Sequence, residues 1–238
     1  MSLDKTILIT GASSGIGAAI ALELGKTGAR LALGARRTDR LEQLAEEIGG
    51  EVLVRRLDVT DRADVAAFAD AARERFGRID VIVNNAGVMP LSPMASLKVD
   101  EWDRMVDVNI KGVLYGIAAV LPEMTARGSG HVINIASIGA LRVVPTAAVY
   151  CATKYAVRAL SEGLRQENDR IRVTCVHPGV VESELADTIT DPAAAEAMKS
   201  YRAIALKPEA IARAVRYAIE QPDDVDVSEI VVRPTASQ

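Results

Sequence analysis

The stretch TGASSGIG, from Thr10 to Gly17, follows a run rich in β-branched residues and opens a segment with helical periodicity. Its three glycines let a ligand approach the backbone closely, and the first turn of a helix offers free N–H groups and a partial positive charge. Together these features predict a strand, a phosphate-binding loop and a helix. The loop residues expected to contact a ligand are Gly11, Ser13, Ser14, Gly15, Ile16 and Gly17.

The glycine spacing here is G-x-x-x-G-x-G, which differs from the common dinucleotide-binding pattern G-x-G-x-x-G. A glycine loop alone is weak evidence for nucleotide binding, because a tight turn without a ligand can use the same residues. Other motifs along the chain are needed to distinguish a nucleotide-binding loop from a tight turn without a ligand.

Length and composition suit one globular domain. The 238 residues are 49% hydrophobic and 25% charged, which is enough apolar content to bury a core. The net charge of -4, with basic residues spread among acidic ones, argues against a nucleic-acid partner. Cys151 and Cys175 are too few and too far apart for a disulfide framework, and His131 and His177 have no neighbouring ligand, so we expect no metal site.

The start of the chain shows no targeting pattern. MSLDKTILITGAS has no basic region followed by a long apolar run, and no apolar stretch reaches the roughly 20 residues that a membrane helix requires. We therefore expect a cytoplasmic protein without a membrane partner.

Short β-rich runs alternate with longer helical segments along the chain, which is typical of βα units around a parallel sheet. Several strands are continuous apolar runs, as expected where helices cover both faces. We predict one α/β domain over residues 1–238, with a doubly wound, seven-stranded, mainly parallel sheet. The predicted strands are Lys5–Thr10, Arg30–Ala35, Glu51–Leu57, Ile79–Val83, His131–Ala136, Arg170–His177 and Ser228–Val232. The predicted helices are Ile16–Thr27, Arg40–Ile48, Ala63–Phe76, Glu101–Arg127, Ala147–Asn168 and Pro208–Glu220, with a helical flap at Glu184–Tyr201.

Tyr150 and Lys154 lie one helical turn apart in YCATK, within the predicted helix Ala147–Asn168, so they share a face. Thr146 is expected to cap this helix. A tyrosine can protonate an oxygen that gains negative charge, and a nearby ammonium favours the ionised phenol; lowering its pKa by roughly 3 units takes about 4 kcal/mol. The alternative is a half-buried tyrosine beside a solvated lysine.

Further motifs stand in one order along the chain: NNAG at Asn84–Gly87, Asn109, Ser137 and PG at Pro178–Gly179. With the glycine loop and YCATK, they make the chain resemble the short-chain dehydrogenase/reductase family over nearly its whole length. The resemblance implies a Rossmann-type domain, a nicotinamide cofactor and hydride transfer to or from carbon. It also implies a homotetramer, with a homodimer as the alternative.

The resemblance implies a role for each catalytic candidate. Tyr150 is the proton donor, Lys154 also holds the nicotinamide ribose, Ser137 orients the substrate oxygen, and Asn109 holds a proton-relay water. Taken singly, Ser137 would be a loop hydroxyl and Asn109 a surface amide.

More cofactor contacts are expected where strands end and at motifs shared with the family. The carboxylate of Asp58 can accept a hydrogen bond from the adenine amino group. The alternative is that Asp58 caps a helix. Asn84 is expected to brace the sheet, and Ser183 replaces the threonine usual in the family. The expected contacts beyond the glycine loop are Asp58, Val59, Asn85, Ala86, Gly87, Tyr150, Lys154, Pro178, Gly179, Val181 and Ser183.

The stretch GARR, Gly34 to Arg37, predicts NADP(H) as the cofactor. An NAD enzyme of this type places a carboxylate at the end of the second strand, where Ala35 stands here. Arg36 can bind the 2′-phosphate through charge-assisted hydrogen bonds, and Arg37 adds positive charge. A surface arginine pair without a ligand is the alternative.

These observations predict an NADP(H)-dependent oxidoreductase that acts on a small ketone, aldehyde or secondary alcohol. The ending SEIVVRPTASQ also looks like a subgroup acting on short hydroxy acids, so 3-hydroxy acids including serine-like compounds are the alternative substrates. Arg142 could bind such a carboxylate or be a solvated loop charge. The alternative from another functional class is a catalytically silent sensor or scaffold that binds NADP(H).

Overall fold

A computed structural model describes residues 3–237, and in that range the chain forms one seven-stranded sheet. The strand order is β3-β2-β1-β4-β5-β6-β7, and every neighbouring pair is parallel. The strands are β1 Thr6–Thr10, β2 Arg30–Ala35, β3 Val52–Arg56, β4 Val81–Asn84, β5 Gly130–Ile135, β6 Ile171–Pro178 and β7 Glu229–Val232. The predicted fold class is confirmed, and the sheet is wholly rather than mainly parallel.

The described residues contain eight α-helices, most of which cover the two faces of this sheet. They are α1 Gly15–Gly25, α2 Thr38–Ile48, α3 Arg62–Phe76, α4 Val99–Val106, α5 Gly112–Arg127, α6 Ala148–Gln166, α7 Pro192–Tyr201 and α8 Glu209–Glu220. Single 3₁₀ turns at Ile138–Ala140 and Glu184–Thr188 border the carboxyl ends of β5 and β6.

Alternate residues of the strands face opposite helical layers. Ile7 and Ile9 of β1 pack in a buried cluster with residues of α1 and α8, whereas Leu8 packs in a second cluster with Phe68 of α3 and Val120 of α5. All five are nearly inaccessible to solvent. Burial on both faces explains why the strands read as continuous apolar runs.

The predicted helix Glu101–Arg127 is longer and less regular than the sequence indicated. It runs from Val99 to Arg127 and contains a π-helical segment at Asp107–Lys111. An 18-residue window of this helix has a mean hydropathy of 1.4, so the helix satisfies the length and composition of a membrane span, contrary to the expectation of no such stretch. Charged residues interrupt its apolar runs, so no single run in the sequence has that length. Its inner face packs against the sheet, and core helices of globular domains pass the same test.

The amino end of α6 differs from the prediction. Thr146 adopts a left-handed backbone conformation with φ of 66°, and the helix begins at Ala148 without a side-chain cap. The carbonyl oxygen of Thr146 instead accepts from the N–H of Ser92 at 3.0 Å. The predicted Thr146 cap is therefore wrong, because Thr146 serves as a turn residue tied to the loop after β4.

The predicted flap, residues 184–201, consists of the 3₁₀ turn Glu184–Thr188 followed by α7. Asp191 caps α7 by accepting from the N–H of Ala194 at 2.9 Å, and Pro192 occupies the first turn, where a missing N–H costs nothing. Because Asp191 and Pro192 start a new helix, the flap consists of two short elements rather than one helix.

Candidate active site

A cleft of about 1250 Å³ lies at the carboxyl ends of the strands, where the strand order changes direction between β1 and β4. This is the position at which open α/β sheets bind ligands. All the site residues predicted from the sequence line this cleft except Gly17 and Asn109. Gly17 and Asn109 instead hold the surrounding backbone in place.

The glycine loop is shaped by close backbone contacts. Gly11 and Gly15 have φ of 67° and 55°, and a Cβ atom at Gly11 would lie 2.8 Å from the Cα of Ala86. A Cβ at Gly17 would lie 2.4 Å from the carbonyl oxygen of Gly11. These distances exclude larger residues and explain why Gly17 is required without lining the cleft.

The first turn of α1 begins at the cleft without a side-chain cap, because the Ser14 hydroxyl makes no capping hydrogen bond. By contrast, aspartates cap α3 and α7. The start of α1 therefore keeps backbone N–H donors for a ligand, and it fits the pyrophosphate of a dinucleotide.

Two asparagines at the end of β4 have different partners. Asn84, expected to brace the sheet, donates to the side-chain oxygen of Asn134 on β5 at 2.9 Å. Asn85 donates from its side chain to the carbonyl oxygens of Thr10 and Gly11 at 2.9 and 3.1 Å. Asn85 thus orients the glycine loop, and its contact with a ribose stays a prediction.

At the far end of the cleft, Asp58 accepts from the N–H and hydroxyl of Thr60 at 3.0 and 2.8 Å. These bonds, with a smaller contribution from Arg36, hold the pKa of Asp58 below its usual value. Asp61, rather than Asp58, caps the following helix. Asp58 therefore remains at the cleft as a charged acceptor, as expected for an adenine contact.

The two arginines of GARR have different environments. The side chain of Arg36 lines the cleft and, among residues 3–237, makes no hydrogen bond or ion pair. Arg37 donates to the hydroxyls of Ser13 and Ser14 at 3.1 and 2.9 Å and pairs with Glu184. Arg36 is consequently the side chain available for a phosphate, while Arg37 already connects two parts of the protein.

Tyr150 and Lys154 of α6 are brought together with Ser137, which follows β5. The side chains of Tyr150 and Lys154 are buried, and the Lys154 Nζ atom lies 5.8 Å from the centre of the Tyr150 ring. Lys154 donates to the carbonyl oxygen of Ile135 at 2.9 Å, and Ser137 is hydrogen-bonded to the Tyr150 phenol. The alternative of a solvated lysine beside a half-buried tyrosine is therefore wrong.

Burial dominates the acid–base properties of this pair. It raises the pKa of Tyr150 to about 12, although the hydrogen bond with Ser137 acts in the opposite direction. Burial also lowers the pKa of Lys154 to about 8. The expected lowering of the Tyr150 pKa by Lys154 is absent in the protein alone, because desolvation dominates and the ammonium is directed at the Ile135 carbonyl. The phenol is thus protonated at neutral pH, as a proton donor must be.

Asn109 lies in the π-helical segment and is 1% exposed, so the alternative of a surface amide is wrong. Its side-chain oxygen accepts from the N–H of Val88 at 2.9 Å, and its amide donates to the Val88 carbonyl and the Thr153 hydroxyl at 3.0 and 3.1 Å. Asn109 therefore joins the loop after β4 to α6 near Tyr150 and Lys154. Its role in a proton relay stays a prediction.

The remainder of the cleft combines apolar and charged side chains. Its apolar residues include Met89, Leu91, Ile138, Val144, Leu185 and Met198. Leu141 and Val143 do not line it, and the Val143 side chain projects into solvent. Arg142, which the sequence left open between a substrate contact and a solvated loop charge, lines the cleft, and Arg104, Arg202 and Asp103 line it without having been singled out.

Glu184 is a further polar residue of the cleft, and its partners were missed by sequence reasoning. Glu184 forms ion pairs with Arg37 and Arg40. These arginines lie far away in the sequence, so no local sequence pattern predicts the contacts. The ring of His177 is hydrogen-bonded to the backbone carbonyl of Ser137 at 3.1 Å and supports the serine turn. Among residues 3–237, no group of three or more potential metal-ligating side chains lies together.

Comparison with known proteins gives consistent relatives. Residues 5–194 match the family described as short chain dehydrogenase. An uncharacterised oxidoreductase of Staphylococcus saprophyticus is 50% identical, over 98% of this chain and 97% of the relative. An alcohol dehydrogenase from Thermococcus sibiricus, solved with 5-hydroxy-NADP, is 36% identical over 99% of each chain, with a TM-score of 0.89. A serine dehydrogenase solved with NADP⁺ is 33% identical over 95% of this chain and 94% of that one, also with a TM-score of 0.89.

Proposed function

The chain belongs to the short chain dehydrogenase family and is an oxidoreductase, and from that premise we propose that it interconverts small ketones or aldehydes and secondary alcohols with NADP(H). The observation that carries this proposal is the buried pair of Tyr150 and Lys154, with Ser137 beside the phenol, at the cleft. In the bound state the nicotinamide would supply or accept the hydride.

The residues of the chain then manage the proton. The Tyr150 phenol donates its proton to the carbonyl oxygen of the substrate as negative charge develops there. Ser137 stabilises and orients the same oxygen through its hydroxyl. Lys154 places a positive charge beside the phenol, which lowers the cost of forming the tyrosinate. In the oxidative direction the tyrosinate takes the alcohol proton back.

The cofactor would be held along the whole length of the cleft. The uncapped start of α1 provides N–H donors for the pyrophosphate, and Asp58 provides an acceptor for the adenine amino group. Lys154 provides a donor for the nicotinamide ribose. The residues that border the same cleft after β6 and would pass the carboxamide are Pro178, Gly179, Val181 and Ser183.

A preference for NADP(H) over NAD(H) is supported by the end of β2. Ala35 stands where a carboxylate would bind both ribose hydroxyls of NAD, and Arg36 has its donors available for a 2′-phosphate. Two of the structural relatives described above were solved with NADP or a derivative.

The substrate is proposed as a small carbonyl or alcohol compound. A 3-hydroxy acid, including a serine-like compound, is the second candidate, because Arg104, Arg142 and Arg202 line the cleft and one relative is a serine dehydrogenase. These arginines could bind a substrate carboxylate.

We also propose that the enzyme is a cytoplasmic homotetramer, with a homodimer as the alternative. Both cysteines are free thiols, which suits a reducing compartment. Val106, Leu114 and Tyr155 are exposed on α4, α5 and α6, which suits helices that pair with another subunit.

The test of this function is turnover by the purified protein with NADPH and a panel of ketones, aldehydes and 3-oxo acids, followed by the loss of NADPH absorbance. Oxidation of NADPH with at least one carbonyl class supports an enzyme. Tight NADPH binding without turnover on any of them would favour the catalytically silent sensor or scaffold.

A further inference from the structure

Glu184 is the first residue of the flap, and both of its carboxylate oxygens are bound by arginines. One oxygen accepts from Arg37 at 2.7 Å and the other from Arg40 at 2.5 Å. These hydrogen bonds lower the pKa of Glu184 to about 2, so the carboxylate is charged throughout the neutral range. The contact is therefore a three-residue ion pair between the flap and the start of α2.

Arg37 extends this contact to the glycine loop. Its guanidinium also donates to the hydroxyls of Ser13 and Ser14. A Cβ atom at Gly15 would lie 3.2 Å from the Cβ of Ser183, so the loop and the base of the flap nearly touch. The ion pair thus spans the cleft between the cofactor-binding loop and the flap.

The middle of the flap has its own attachment. Lys98 donates to the hydroxyl of Thr190, which donates to Glu101 at 2.5 Å. This contact fixes the flap to the start of α4 on the substrate side. Glu184 supplies the matching attachment on the cofactor side, and Leu185 and Met198 of the flap line the cleft between the two.

We propose that Glu184 is a latch residue whose ion pairs with Arg37 and Arg40 hold the flap closed over the cofactor cleft and slow cofactor exchange. The proposal rests on the proposed function in that the cleft must bind NADP(H). Glu184 acts by positioning the flap and is not a catalytic residue.

The expected effect is modest, because the side chains of Arg37, Glu184 and Arg40 are 40%, 45% and 43% exposed. Ion pairs at such exposure are weak, so losing both should speed cofactor release about 3- to 10-fold. Cofactor release requires the flap to move, and the effect should therefore appear in the dissociation rate more than in the association rate.

Two variants and a control isolate the latch. Glu184→Gln removes the charge, and Arg40→Ala removes one partner without altering a residue that lines the cleft. The control is Glu182→Gln, because the Glu182 side chain is 47% exposed, close to Glu184, and pairs with Lys207 at 2.6 Å but does not line the cleft. Amide hydrogen exchange across residues 184–201 of the cofactor-free protein reports flap opening. Stopped-flow displacement of bound NADPH by excess NADP⁺ reports release.

We expect both variants to exchange faster in residues 184–201 and to release NADPH about 3- to 10-fold faster, while Glu182→Gln stays within about twofold of wild type. Unchanged exchange, or faster exchange with unchanged release, would overturn the latch. Slower release from Glu184→Gln would also overturn it, since the carboxylate would then act mainly by repelling the 2′-phosphate. Failure of the wild type to bind NADPH would instead contradict the proposed function.

Discussion

The Nζ atom of Lys154 lies 5.8 Å from the centre of the Tyr150 ring, and both side chains are buried at the floor of the cleft. The same burial favours the neutral form of each group, raising the pKa of Tyr150 to about 12 and lowering that of Lys154 to about 8. The pair is thus assembled at a cost to the stability of the protein alone, and the proposed transfer of the phenol proton to a substrate oxygen would explain why that cost is retained.

This cost can be measured with Lys154→Met in the cofactor-free protein. A pKa lowered from 10.5 to about 8 corresponds to roughly 3 kcal/mol of destabilisation below pH 8. The variant leaves the Ile135 carbonyl without its donor, which costs about 1 kcal/mol. We therefore expect Lys154→Met to raise the free energy of unfolding by about 2 kcal/mol at pH 7 in denaturant titrations.

The sign of the pH dependence provides the control for that experiment. Between pH 8 and 10.5 the unfolded wild type binds the Lys154 proton more strongly than the folded protein, so wild-type stability gains from this group as pH rises. The advantage of Lys154→Met should accordingly shrink across this range. An advantage that is constant from pH 7 to 10 would show that packing, rather than buried charge, separates the two proteins.

Activity should fall over the same pH range, because the Lys154 ammonium loses its proton there. In the reductive direction, kcat/KM for NADPH at saturating carbonyl substrate reports ionisations of the free enzyme. We expect this parameter to fall above pH 8, because Lys154 loses its proton with a pKa of about 8 while Tyr150 stays protonated. A profile that is flat to pH 10 would contradict the assignment.

Cofactor preference should be reversible at the end of β2. The change Ala35→Asp with Arg36→Ala adds a carboxylate that repels the 2′-phosphate and removes the arginine that attracts it. We expect wild type to prefer NADPH by about 10- to 100-fold in kcat/KM, and the double variant to prefer NADH. Equal use of both cofactors by wild type, or an unmoved ratio in Arg36→Ala, would contradict the role of Arg36.

The proposed tetramer should depend on the outer faces of the long helices. Leu114 of α5 is 40% exposed, and a glutamate there would place charge in an apolar subunit interface. Light scattering should show a tetramer for wild type and a smaller species for Leu114→Glu. Leu97→Glu is the matched control, since Leu97 is 70% exposed outside these helices. A monomeric wild type would rule out the assembly.

The sequence was most informative where local pattern and burial agree. Apolar runs predicted all seven strands to within a few residues, and helical spacing placed Tyr150 and Lys154 on one face of α6. The glycines likewise predicted the loop before α1. Only glycine tolerates both the positive φ and the close contacts found at Gly11.

What the sequence could not predict depends on long-range contacts. The π-helical segment around Asn109 arises where its side chain is held by Val88 and Thr153, and Thr146 turns left-handed because the loop at Ser92 binds its carbonyl. The ion pairs of Glu184 with Arg37 and Arg40 join segments that are distant in the sequence, so helix or strand periodicity cannot predict them. The pKa of Tyr150 depends on burial by the complete fold, so proximity to Lys154 alone gave the wrong direction.

The most direct test of the central claim is the fate of deuterium in a reaction with NADPH carrying deuterium at the transferable position of the nicotinamide. Product alcohol from the carbonyl panel is analysed by mass spectrometry for wild type and Tyr150→Phe, with cofactor binding measured by fluorescence titration. We predict deuterium on the carbinol carbon with wild type, and NADPH binding that is nearly unchanged in Tyr150→Phe but turnover lowered at least ~10²-fold. Product without deuterium, or Tyr150→Phe turnover within a few-fold of wild type, would contradict the account.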